Sequence, residues 1–119
     1  MPLRSYRDLE VWQRAMELLQ QCEPIAQRVP WYERNHLASQ LRRASLSVPS
    51  NIAEGYGRLH RGDYLRHLGY AQSSLKEVET ILDGSDIRGY ATEEQLRLPR
   101  ELCTRTGQML TRLIESLSR

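Results

Sequence analysis

The chain has 119 residues, 39% of them hydrophobic and 27% charged, which amounts to one domain with enough apolar material for a single core. No run approaches the roughly 18 apolar residues of a membrane span, the start Met1-Pro2-Leu3-Arg4-Ser5-Tyr6 has no apolar stretch like a secretion signal, and two cysteines make no disulfide framework. Lys+Arg is 17 against Asp+Glu 15, a net +2, so composition excludes a strongly polybasic or polyacidic chain and leaves a cytoplasmic domain with no membrane contact as the expectation.

No segment alternates with period two long enough for a strand, whereas period 3.6 appears four times. The first helix is expected to start at Asp8, a good N-cap, and to stop before Val29-Pro30, because a residue preceding proline avoids the α region. It carries two apolar stripes: Val11, Ala15, Leu18, Cys22, Ile25 and Val29, then Leu9, Trp12, Met16, Leu19 and Ala26. Together they cover roughly 200° of surface, more than one bundle seam needs, so part of it is expected to meet a second partner, with Val11, Leu18 and Ile25 at that contact. Trp31-Tyr32 then read as a hydrophobic lid on the bundle end, in preference to a base-stacking platform.

The second helix should begin near Asn35 and carry Leu37, Leu41, Ala44, Val48 and Ile52, with Gly55 and Gly57 supplying a left-handed cap at its end. A basic loop, Tyr56 to Gly62, leads to a third helix starting around Gly62-Asp63 with the seam Tyr64, Leu68, Ala71, Leu75, Val78 and Leu82. After the turn Gly89-Tyr90-Ala91, Thr92-Glu93-Glu94-Gln95 reads as a capping box for a fourth helix with Leu96, Cys103, Thr106, Leu110, Leu113 and Leu117. Pro24, Pro49 and Pro99 fall inside three of these helices and are expected to kink them. Short connections make neighbours antiparallel, so the expected fold is all-α, an up-down-up-down antiparallel four-helix bundle, over residues 1–119 as one domain.

Few residues suggest catalysis. A bundle-borne di-metal site needs two Glu-x-x-His motifs, and Glu33-Arg34-Asn35-His36 is one match without a second. Cys22 and Cys103 sit on apolar faces and read as small buried hydrophobes. The run Gly55-Tyr56-Gly57-Arg58-Leu59-His60-Arg61-Gly62 follows a helix and lacks nucleotide-loop spacing. No catalytic, metal or cofactor site is therefore expected. Glu54 stands among apolar positions near a helix end whose dipole disfavours a carboxylate, which suggests a specific partner such as an arginine. Ser73, Lys76, Glu77 and Glu79 give the third helix a polar edge, read as a solvated face.

Charge carries the remaining signal. Residues 34–67 hold six arginines against Glu54 and Asp63, while both flanks are slightly acidic. Such a centre is either a solvated arginine-rich face or the footprint of an anionic partner. For the second reading the phosphate contacts are Arg42, Arg43, Arg58, Arg61 and Arg66, with His60 and His67 as auxiliary donors.

Three stretches carry a family resemblance: Tyr6-Arg7-Asp8-Leu9-Glu10-Val11-Trp12-Gln13, the run from Gln40 through Ser47-Val48-Pro49-Ser50-Asn51-Ile52-Ala53-Glu54-Gly55, and Ala71-Gln72-Ser73-Ser74-Leu75-Lys76-Glu77-Val78-Glu79. They resemble the small bacterial four-helix-bundle proteins encoded in intervening sequences of 23S ribosomal RNA genes. The accessory variability proteins of diversity-generating retroelements look like a branch of that family; they form five-fold rings that bind nucleic acid and a reverse transcriptase. The resemblance implies a homo-oligomer, a pentamer, with a non-enzymatic binding or scaffold role. Its partners are then RNA or DNA, and a reverse transcriptase if a retroelement lies nearby. Asn51, Glu54, Gly55, Ser73 and Glu77 match the family signature, with a structural or assembly role. The mild +2 departs from the markedly basic retroelement branch, so a protein–protein scaffold without nucleic-acid contact stays open as the alternative.

Overall fold

A computed structural model of the chain describes residues 3–119; Met1 and Pro2, part of the start weighed as a secretion signal, lie outside the described residues. Among the described residues there are four long helices and no strand: α1 (Glu10–Arg28), α2 (Ser39–Tyr56), α3 (Arg61–Ile87) and α4 (Glu93–Ser118). None of the described helices is long and apolar enough to cross a membrane. Both α1 and α3 pack against α2 and α4. The bridges Arg43–Glu77, Ser47–Ser74 and Asn51–His67 climb α2 as they descend α3, so those two run antiparallel. Arg100–Asp83 and Arg61–Arg119 show the same for α3 and α4. The arrangement is compatible with a four-helix bundle, with extents of 44 × 25 × 22 Å.

The core follows the stripes read from periodicity. Leu18, Ile25, Leu41, Val48, Ile52, Leu68, Val78, Leu82, Leu96 and Leu110 are fully buried, each contributing about 1.5–3 kcal/mol of apolar transfer. Cys22 and Cys103 are free and buried among them, and burial pushes each thiol up to about 12. Val29 ends α1 in extended backbone before Pro30, and Thr92 and Gln95 form the capping box, with bonds of 2.9 and 3.2 Å. Pro24, Pro49 and Pro99 all lie inside their helices.

Several expectations need correction. Val11, Leu18 and Ile25 are buried in the chain's own core and offer no surface to a second copy; Trp12, Met16 and Leu19 are the half-buried flank of α1. Asp8 does not cap α1, because its carboxylate already accepts the Arg4 backbone N–H at 2.9 Å within the short turn Tyr6–Asp8, and Leu9 takes the cap position. A 3-10 turn (Trp31–Glu33) and a π-helical turn (Arg34–Ala38) precede α2. Trp31 and Tyr32 are not a lid: they are 79% and 64% exposed.

Nor do glycines end α2 in the left-handed region. Gly57 has φ −80°, and Gly89, in the α3–α4 turn, is the described glycine with positive φ, 74°. Gly55 is needed for a different reason. A Cβ there would lie 2.9 Å from His67 Cβ and 3.0 Å from Tyr64 Cδ1, so its missing side chain lets α2 and α3 converge.

Candidate nucleic-acid interface

The convergence at Gly55 leaves room for only a short connection. Residues 57–60 join the helices, held by Arg58 N–H to Gly55 O at 3.0 Å and Tyr64 N–H to His60 O at 3.1 Å. Leu59 at its tip is 96% exposed. His60 is the N-cap of α3, yet its imidazole makes no capping bond and faces solvent. Asp63 in the first turn of α3 complements the helix dipole and forms an ion pair with Arg66 at 3.2 Å. Arg58 pairs with Glu54 at 3.4 Å, and Arg61 donates to the Arg119 carbonyl at 3.4 Å. These are exposed, long contacts, each worth about 0.5 kcal/mol or less. A phosphate can displace them at little cost.

The structure divides the seven candidates. Arg58 and His60 lie on this turn, and Arg61 and Arg66 in the first two turns of α3 beside it. His67, half-buried, belongs to a polar seam between α2 and α3: its Nδ1 lies 3.3 Å from Asn51 Oδ1, and its ring meets Tyr70 edge-on. Arg42 and Arg43 stand roughly 20 Å back along α2, at 1.5 Å per residue. Arg42 grips Glu23 of α1 with both arms, at 3.0 and 2.8 Å, and this bond holds the Glu23 carboxyl below its usual range. Arg43 pairs with Glu77 of α3 at 3.2 Å. A bidentate fork already filled by a carboxylate is poorly placed to take a phosphate.

Two further arginines lie at the same end of the molecule as the turn. The start of α1 lies beside the end of α2, because Tyr6–Asp8 packs against both helices, and this brings exposed Arg4 and Arg7 to the same end of the molecule. The Arg7 guanidinium sits 4.7 Å above the Tyr6 ring. A window of consecutive residues hides them, since the first 33 residues carry a net acidic charge; antiparallel pairing of helices 1 and 2 is the signal that finds them.

The signature residues separate likewise. Asn51 donates to Ser47 O at 2.9 Å and to Ser47 Oγ at 3.0 Å, and Ser47 Oγ reaches Ser74 Oγ at 2.7 Å. Asn51 and Gly55 thus knit α2 to α3, and Glu77 holds Arg43. Glu54 is exposed, and its partner is Arg58; Ser73 lines an open groove of about 800 Å³ between α3 and α4. Glu33 of the lone Glu-x-x-His match is buried, accepting from Arg88 Nη1 at 3.2 Å and the Tyr90 hydroxyl at 3.0 Å, while His36 faces solvent. Among the described residues no group of three or more His, Cys, Asp or Glu is placed to hold a metal.

A family model described as 23S rRNA-intervening sequence protein matches residues 7–112, a span that contains the seam, the turn and most of α4. The chain belongs to that family. Among solved structures it is similar to a protein of unknown function from the S23 ribosomal protein family of Bacteroides thetaiotaomicron. That match has a TM-score of 0.80 at 22% identity and covers 87% of this chain and 97% of the other, which shows a shared fold. No curated protein matches the chain. The expected family and the all-α fold therefore hold, and the family is one of unknown function.

Proposed function

We propose that the chain is a non-catalytic RNA-binding protein that contacts phosphates with Arg58, His60, Arg61 and Arg66 at the α2–α3 turn, supported by Arg4 and Arg7. The observation that carries this is the contrast in pairing. The arginines of the turn hold single contacts of 3.2 to 3.4 Å, whereas Arg42 is locked in a two-armed bond to Glu23 at 3.0 and 2.8 Å. Arginine's fork matches phosphate geometry, and a backbone-directed patch needs no nucleotide fold. In the five-membered ring that the resemblance implies, the turn is presented five times, which strengthens a modest patch by multivalency.

The test is fluorescence anisotropy of a labelled ribosomal-RNA hairpin between about 50 and 200 mM salt. Each phosphate neutralised contributes roughly −0.7 to −0.9 to the log–log slope, so three contacts per chain give a slope of about −2 to −3. Absence of binding at low salt, or a partner contact that ignores salt, contradicts the proposal and favours a protein–protein scaffold.

A further inference from the structure

We propose that the opposite end of the molecule is a second nucleic-acid surface: a stacking platform for unpaired bases, built from Trp31 and Tyr32 and flanked by Arg28 and Arg34. The two rings are 79% and 64% exposed, 5.8 Å apart and 85° to one another. In this edge-to-face arrangement the edge of one ring covers part of one face of the other, and the remaining ring faces stay open to solvent. Their backbone is anchored from beneath. Glu33, the next residue, is buried and accepts from Arg88 and Tyr90, which ties the connection between α1 and α2 to the turn between α3 and α4.

That inward carboxylate also decides the local charge. Arg28 and Arg34 are exposed and form no ion pair among the described residues, and Glu33 is the sole acid between them. The other acids of this end are mostly engaged: Asp83 and Asp86 with Arg100, Glu94 with Arg97, leaving Glu93 at the start of α4. Exposed indole and phenol faces beside unpaired guanidinium groups suit bases strung on phosphates, and such stacking tolerates any sequence. Ile87, also exposed at this end, adds apolar surface that a peptide could use, but the unpaired charges next to the rings favour an anionic strand. The surface takes the same class of ligand as the α2–α3 turn through different residues, so the two proposals can fail separately.

The probe is a labelled oligouridylate of about eight nucleotides, within the site size of aromatic single-strand binders. Its anisotropy gives affinity, and tryptophan emission reports contact. Trp12 is half-buried against Tyr6, so the W12F variant leaves Trp31 as the reporter, and comparing wild type with W31F gives the same information if W12F folds poorly. Expected are quenching in wild type, about tenfold weaker binding in W31A, weakened binding in R28A/R34A, and tryptophan quenching retained in R58A/R61A/R66A. Trp31 is exposed, so W31A keeps the fold. Binding that W31A leaves intact, or no binding at low salt, overturns the platform. So does quenching by an acidic, leucine-bearing peptide with no response to the oligonucleotide, which assigns this end to a protein. Hairpin binding lost in R58A/R61A/R66A while the oligonucleotide fails altogether leaves the turn standing and removes the platform alone.

Discussion

At the α2–α3 turn, arginines stand over a contact that a missing side chain makes possible; at the far end, Arg88 and Tyr90 hold a carboxylate inside while two aromatic rings face out. The first end converges tightly and presents charge. The second is braced by the buried carboxylate of Glu33 and presents two aromatic rings flanked by Arg28 and Arg34, which form no ion pair among the described residues. What separates them is less the number of arginines than what each arginine already touches. Arg88 and Arg42 are committed to carboxylates of other elements, whereas Arg58 and Arg66 hold only near neighbours on their own helices or turn.

The sharpest way to break this contrast is at Gly55. Alanine normally strengthens a helix interior, but here its Cβ meets His67 and Tyr64, so Gly55→Ala should destabilise by about 2 kcal/mol in urea unfolding. A neutral or stabilising result would show that the helices do not depend on that close approach. Glu33→Ala tests the other end. It removes the acceptor that the Tyr90 hydroxyl and the exposed Arg88 share and should lower the denaturant midpoint; an unchanged midpoint contradicts the brace. Gly69→Ala is the control for Gly55: nothing lies within 4 Å of its Cβ, so a gain of about 0.5–1 kcal/mol is expected in thermal unfolding.

The smallest effects concern the exposed pairs. Arg43→Ala should change stability by less than about 0.5 kcal/mol, since Arg43 is largely solvated and its contact with the half-buried Glu77 is a single bond. Arg42 holds the Glu23 carboxyl below its ordinary 4.5 through the hydrogen bond first, so the folded chain binds that proton more weakly than the unfolded one. The stability contributed by the pair is then fully present above pH 4.5 and is lost as pH falls below it. The difference between wild type and Arg42→Ala, measured across an acid titration, should shrink in that direction; a difference that grows on acidification contradicts the assignment.

Much of the fold was legible because periodicity reports burial directly. The seam Leu68, Ala71, Leu75, Val78 and Leu82 is buried as spaced, and the Thr92 capping box closes as read. Helix starts were less legible. Asp8 had two uses for its carboxylate, and the local turn took it. Gly55 was placed correctly at the end of α2 but for the wrong reason, because a close approach between helices leaves no mark distinguishable from a cap in one sequence. The candidate site was half legible. Arg58, Arg61 and Arg66 are close in sequence and belong to the α2–α3 turn and the first turns of α3, but a linear charge window could not show that Glu23, from another helix, holds Arg42 with both arms or that Glu77 pairs with Arg43. For the same reason it could not show Arg4 and Arg7 arriving from the start of the chain.

The most direct test of the central claim pits the two sets of arginines against each other on one RNA hairpin. The variants remove three and two positive charges, so a nonspecific field weakens both, roughly in that proportion. Placement of the phosphate contacts at the α2–α3 turn predicts that R58A/R61A/R66A weakens binding at least tenfold and flattens the salt slope by roughly one phosphate per arginine, whereas R42A/R43A binds as wild type. Equal loss in the two variants, or loss in R42A/R43A alone, contradicts it.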